Sequence, residues 1–288
     1  MGAPWVIHAA AVGLVVLDTA VRAWRIRLLL PRNQRPSVWR AVAVNAYGDA
    51  ASAITPARFG GDPARFLGFR RSGVDSTAAV VALGVELLID WVLLIVASVV
   101  LAVALGGLAV RGAREALRSL TSDALLPWLL LVLVLVALSG FAAHWYRKRH
   151  PGQLGTSMKE AWGHVRSMRR GTLAVAGALT AISMTAQVAI LPLLLVPVMP
   201  AVNMGGAVLG SFTLLYGQLF LPTPAGVGGV ELGFVVGLGP ALAPIQIARL
   251  LLAWRIYTIV LGALLGAVLF LRQTLSRRTA ALPATSER

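Results

Sequence analysis

Several ionisable side chains sit where the surrounding sequence is too apolar to hold them cheaply. Glu86 and Asp90 stand four residues apart in the apolar run from Ala78 to Val110, which places both carboxylates on one face of a helix. Glu231 interrupts a stretch, 198–248, with no other charged residue, and Arg255 lies well inside the last apolar run. An ionised group at mid-bilayer costs roughly 2.5–3.5 kcal/mol or more, so such residues face a protein interior or a watery cavity. Two chemistries follow. Carboxylates and guanidiniums at that depth bind a charged substrate, or they pair with each other and pin helices, as Arg255 would with Glu86, Asp90 or Glu231. Arg58, Asp62 and Arg65 form another charged group, whose guanidiniums suit a phosphate through charge-assisted hydrogen bonds. Their bland reading is ordinary cytoplasmic positive charge. Asp18 and Arg22, also four apart, read as a local ion pair.

Other chemistries lack their residues. The chain has no cysteine, and its four histidines (His8, His144, His150, His164) are scattered without metal-ligand spacing. No nucleophile elbow, Walker loop or His-Glu-x-x-His helix occurs, and Gly60-Gly61 lacks the strand context of a phosphate-binding fingerprint. No catalytic residues, cofactor or metal are therefore expected, and the chain is not expected to be an enzyme. A net charge of +15 suits a nucleic-acid partner, but the arginines cluster between apolar runs, where cytoplasmic retention of positive charge explains them.

The elements that must position these groups are membrane helices. The 288 residues are 58% hydrophobic and 13% charged, about half the charge of a soluble domain, with mean hydropathy +0.79. Runs at 5–24, 76–106, 124–146, 172–197 and 244–271 reach the roughly 20 residues that a span needs. Two further stretches, 38–70 and 206–240, are broken in the middle. Basic loops at 22–40 and 147–171, with a basic tail, place the N-terminus outside and the C-terminus in the cytoplasm. The expected fold is all-α, a polytopic helical membrane protein. About five full spans accompany two oppositely oriented re-entrant helical hairpins, an inverted repeat; strongly tilted full helices are the alternative for the hairpins. Residues 1–272 form the membrane-embedded domain, and 273–288 a short, disordered basic tail. Trp5, Trp24, Trp39, Trp128 and Trp145 suit interface anchors.

Both broken stretches carry one element. Thr55-Pro56-Ala57-Arg58-Phe59-Gly60-Gly61 precedes Asp62, and Thr223-Pro224-Ala225-Gly226-Val227-Gly228-Gly229 is followed by Val230 and Glu231; five of seven positions match. Proline ends an incoming helix, the glycine pair permits unusual backbone, and the acids suit the N-terminus of a returning helix. Chance recurrence is the bland alternative in a chain with 29 Gly and 15 Pro. Three spans separate the hairpins, so their tips point at each other from opposite leaflets, the layout of inverted-repeat transporters. Asn45, Tyr47, Asp49 and Ser52 give the first hairpin a polar face, as Tyr216 and Gln218 do the second.

Taken in order, Arg22-Ala23-Trp24-Arg25, the first tip with Arg65, Glu86 to Asp90, Pro222 with the second tip and Glu231, and Arg255 resemble the lysylphosphatidylglycerol synthase membrane-region family, flippase-like integral membrane proteins. In that family's best-known members the membrane region precedes a soluble aminoacyl-transferase domain and moves the aminoacylated lipid outward. This chain ends at residue 288, soon after its last span, so the resemblance implies translocation without synthesis, in a bacterial cytoplasmic (inner) membrane. The implied cargo is a phospholipid or lipid-linked head group, anionic or phosphate-bearing. Arg58, Arg65 and Arg255 would hold the anion, with Asp62, Glu86, Asp90 and Glu231 balancing it. A homo-oligomer or a separate lipid-synthesising enzyme is a conceivable partner. The alternatives are a secondary transporter of a small solute or ion, and a membrane-embedded lipid-modifying enzyme.

Overall fold

The computed structural model describes residues 4–106, 163, 166, 168–221 and 223–281. Contacts divide the chain into two units, Met1–Ile95 with Met168–Arg288, and Val96–Ser167; apart from the end of α4 from Val96 on, the features below belong to the first. In order come α1 (Pro4–Leu29), α2 (Val38–Ile54), α3 (Gly61–Arg71), α4 (Ser76–Ala104), α5 (Arg170–Leu195), α6 (Met204–Gly217), α7 (Gly229–Leu238), α8 (Pro244–Arg255) and α9 (Leu261–Ala281). The protein is an all-α membrane protein. In an apolar solvent every backbone polar group must be satisfied within the chain, and helices do that segment by segment.

Among the described residues four helices are long and apolar enough to cross a bilayer: Trp5–Leu29, Ser76–Ala104, Arg170–Leu195 and Pro244–Leu275. They coincide with four of the expected spans; the fifth, 124–146, lies outside the described residues, as do Trp128 and Trp145. Helix α1 continues to Leu29, so Arg22, Arg25 and Arg27 are helical and do not belong to a 22–40 loop. Two of them are neutralised by carboxylates of other helices, which removes them from the charge that orients the chain. At the other end α9 extends through Ala281, so the expected disordered tail is helical to that point. Residues 282–288 lie outside the described set.

The broken stretches become two helix–turn–helix units. Helix α2 has 17 residues, about 26 Å at 1.5 Å per residue, and α3 has 11. Their counterparts α6 and α7 have 14 and 10. None reaches 20 residues. Each incoming helix begins on a side-chain cap: Ser37 Oγ accepts from the Arg40 N–H, and Asn203 Oδ1 accepts from the Gly206 N–H at 3.1 Å.

Packing follows side-chain size. Ile190, Leu195, Phe234 and Trp254 lie in one core shared by α5, α7 and α8, with the Phe234 and Trp254 rings 5.4 Å apart. Helix α9 meets α2 through Gly262 and Gly266, a Gly-x-x-x-Gly face that lets two backbones approach. A Cβ on Gly266 would run into the Ala46 carbonyl oxygen of α2, and one on Gly262 would sit 3.1 Å from Asp49 Oδ2. Overpacking there costs about 1–3 kcal/mol. Gly266→Val is therefore expected to lower the melting temperature in detergent by several degrees. Gly13→Ala, whose Cβ meets nothing within 4 Å, should leave it unchanged; equal melting of both variants would contradict the packing.

Candidate functional site

The two tips trace one turn. In the first, the Arg58 N–H donates to the Thr55 carbonyl (3.3 Å) and the Phe59 N–H to that of Pro56 (3.1 Å). In the second, Gly226 donates to Thr223 (3.2 Å) and Val227 to Pro224 (3.1 Å). The third and fourth positions are left-handed in both: Ala57 (φ 47°) and Arg58 (φ 61°), then Ala225 (φ 51°) and Gly226 (φ 67°). Among the described residues these alanines and Arg58 are the only non-glycines with positive φ. Such backbone costs of order 1–3 kcal/mol per residue and persists only where its surroundings enforce it.

The glycine pair differs from expectation in the first tip. Gly60 has φ −72°, so the unusual conformation falls on Ala57 and Arg58 instead. What Gly60 and Gly61 supply is space, since a Cβ would strike the Thr55 side chain from one and Ser52 Oγ from the other. In the second tip Gly228 does take positive φ, 92°. Pro56 and Pro224 then face each other across an isolated antiparallel bridge, so the tips touch.

Charged residues divide into three groups. In the first, Arg25 of α1, 5% exposed, is paired with Glu86 and Asp90 of α4. It donates to Asp90 Oδ1 at 2.6 Å and to Thr180 Oγ1 of α5 at 2.6 Å. The opposite oxygen of Glu86, which is 1% exposed, accepts from Arg65 at 2.5 Å, and Arg65 also reaches Asp62 at 3.3 Å. One carboxylate thus joins two guanidiniums and draws α1, α3 and α4 together. In the second group, Arg255 donates to Glu231 Oε1 at 2.5 Å and to the Ala225 carbonyl at 2.8 Å. The other Glu231 oxygen accepts from the Gly228 N–H at 2.7 Å. That pair braces the second tip from the last span.

The third group lines a cavity between the units of both tips. Arg22 makes a bidentate bond to Asp49 (2.8 and 3.0 Å) and lies 3.6 Å from Asp18. Asp18 also accepts from Ser183 Oγ and from Gln187 Nε2, the latter at 3.1 Å. Asp18, Arg22, Asp49, Ser52, Gln187 and Gln218 are on the wall, with Arg58 and Ala225 from the two tips. A π-helical turn, Ile256–Val260, adds Tyr257 and Thr258; such turns are frequent at functional sites. Arg58 forms no ion pair among the described residues. Gln218, 2% exposed, has no partner for Oε1 among the described residues. The volume is about 40 Å³, room for roughly three waters at 10–15 Å³ each.

A family description, lysylphosphatidylglycerol synthase TM region, matches residues 1–266. The chain belongs to that family. No curated protein and no solved structure matches it. Membership associates the chain with lipid-related processes in a membrane.

Within this family member, the seven candidate residues from the sequence do not form one site. Asp62, Arg65, Glu86 and Asp90 share a network, Glu231 and Arg255 make a separate brace, and Arg58 alone lines the cavity. Sequence reasoning left out Arg25 as an interior charge, and Arg22, Asp18 and Gln187 as cavity groups. The available signal was the spacing of Asp18, Arg22 and Arg25, which lie on one helical face once α1 is carried past residue 24. Removing one partner of a buried pair costs about 3–5 kcal/mol because the other charge is stranded. Glu86→Gln, which leaves Arg25 with Asp90 and Arg65 with Asp62 as their remaining carboxylates, should melt several degrees below the parent in detergent. Exposed Asp75→Asn should not, and matching melting curves would contradict the bridging role of Glu86.

Proposed function

We propose that the protein moves a phosphate-bearing lipid head group between the leaflets of a bacterial inner membrane, with Arg58 as the group that receives the phosphate. The observation that carries this reading is the Arg58 guanidinium, without an ion pair among the described residues, on the wall of a cavity at the touching tips. Arg65 and Arg255 already have carboxylate partners, which makes them structural supports and leaves Arg58 for cargo. Family membership supports a lipid as that cargo. In this reading the hairpins are an inverted repeat entering from opposite leaflets, with the N-terminus outside and the C-terminus in the cytoplasm.

The cavity as it stands is too small for a head group, so it corresponds to an occluded arrangement. Parting the tips at Pro56 and Pro224 would open it to one leaflet or the other. The strain at Ala57, Arg58 and Ala225 keeps the turns poised for such a change. The protein performs no bond chemistry in this scheme. It exchanges the water around a phosphate for a guanidinium and for Gln218, Ser52 and Tyr257, lowering the cost of crossing.

The small volume favours one other reading, a transporter of a small anion. Proteoliposomes carrying fluorescent phospholipids, with a membrane-impermeant quencher outside, separate the two. The protein should expose the inner-leaflet lipid well above the rate of empty liposomes. Arg58→Gln should slow it at least tenfold while melting like the parent. Rates equal to empty liposomes across a panel of head groups would overturn the proposal, and phosphate uptake without lipid movement would establish the small-anion reading.

A further inference from the structure

A second cleft lies toward the other end of α2, away from the tips. Its wall is Arg40, Ala43, Val44 and Tyr47 of α2, Arg71 and Ser72 at the end of α3, and Gln273 of α9. Its volume is about 260 Å³, close to the lower limit of small-ligand sites, about 300 Å³. Hydrogen-bond donors dominate this wall, and no carboxylate is part of it.

The arginines here are placed and uncompensated. Neither Arg40 nor Arg71 makes an ion pair among the described residues. The Arg71 guanidinium rests over the Phe270 ring at 5.4 Å, a cation–π contact that holds it at the cleft edge. The Tyr47 hydroxyl donates to Gln273 Oε1 at 3.0 Å, which orients that amide with its NH₂ group left as a donor. The neighbour of Arg40 is Trp39, 65% exposed, and exposed tryptophan is typical of the boundary between lipid tails and water. An anion bound at that boundary is presented by the bilayer itself.

We infer that this cleft is a docking site for the head group of an anionic phospholipid, with Arg40 and Arg71 holding its phosphate. Basic pockets between helices at the membrane boundary take such head groups, and paired guanidiniums match phosphate geometry. The cleft is separate from the cavity at the tips. On α2 the cleft takes Arg40, Ala43, Val44 and Tyr47 and the cavity takes Asp49, Ser52 and Ala53, which lie on opposite faces of a helix with 3.6 residues per turn. Binding here requires no transport, so the site stands or falls independently of the proposed translocation.

The test is binding to the full chain in a non-ionic detergent by thermophoresis, with dihexanoyl phosphatidylglycerol, dihexanoyl phosphatidylcholine and inorganic phosphate as probes. Phosphatidylglycerol should bind at least tenfold more tightly than the other two. Arg40→Gln with Arg71→Gln should weaken it at least tenfold, and Arg249→Gln, at an exposed arginine of α8 outside the cleft, should change it less than twofold. Ser72→Asp, which keeps both arginines and sets a carboxylate beside them, should weaken it similarly and gives a second reading should the double variant misfold. Unchanged affinity in both cleft variants overturns the site. Inorganic phosphate binding as tightly as phosphatidylglycerol overturns the lipid assignment.

Discussion

Breaking a helix inside an apolar medium exposes backbone donors and acceptors that no water can reach, each costing several kcal/mol if left alone. The molecule is organised around answering those groups at two breaks. Each tip closes its own turn through consecutive backbone bonds from its fourth and fifth residues. Remaining acceptors go to side chains: Arg255 donates to the Ala225 carbonyl and Ser52 Oγ to that of Arg58. Glu231 takes the Gly228 N–H. Proline at the second position of each tip removes a donor that would otherwise need a partner. Contact between the tips then encloses the small polar cavity.

The same economy explains the ion pairs. A lone buried charge is expensive, but a carboxylate between two guanidiniums, with further hydrogen bonds to Thr180 and Asp62, has its lone pairs and donors mostly used. Glu86 is therefore a structural junction for α1, α3 and α4. Arg58 is the contrasting case. It sits on strained backbone, on a cavity wall, without an ion pair among the described residues. Compensation at Arg22, Arg25, Arg65 and Arg255 is what gives that omission meaning. The local cost is borne where a bound anion would repay it.

Much of this was legible in the sequence. Apolar run length located four helices that fall within the described residues, and the recurring Thr-Pro-Ala-x-x-Gly-Gly string located both tips. Pairing of Arg255 with Glu231 was among the partners its depth suggested. What the sequence hid was tertiary. Arg22 and Arg25 look like loop charges because a hydropathy window ends where arginines begin, yet their carboxylates come from Asp49, Glu86 and Asp90, far along the chain. The role of Gly60 and Gly61 was misread for a related reason. Glycine signals either free backbone or absent bulk, and only the nearby Thr55 and Ser52 side chains show that bulk decides here.

The two tips meet at Pro56 and Pro224, and in the proposed cycle they must part for cargo to pass. Neither proline can donate a hydrogen bond, so the bridged pair is of the non-hydrogen-bonded kind, with Cα atoms roughly 4.5 Å apart, inside the range a disulfide spans. The chain contains no cysteine, so a Pro56→Cys, Pro224→Cys variant has a clean background. Oxidation should cross-link it readily and stop lipid translocation in proteoliposomes, with recovery on reduction. Failure to cross-link, or full translocation by the cross-linked protein, would contradict the claim.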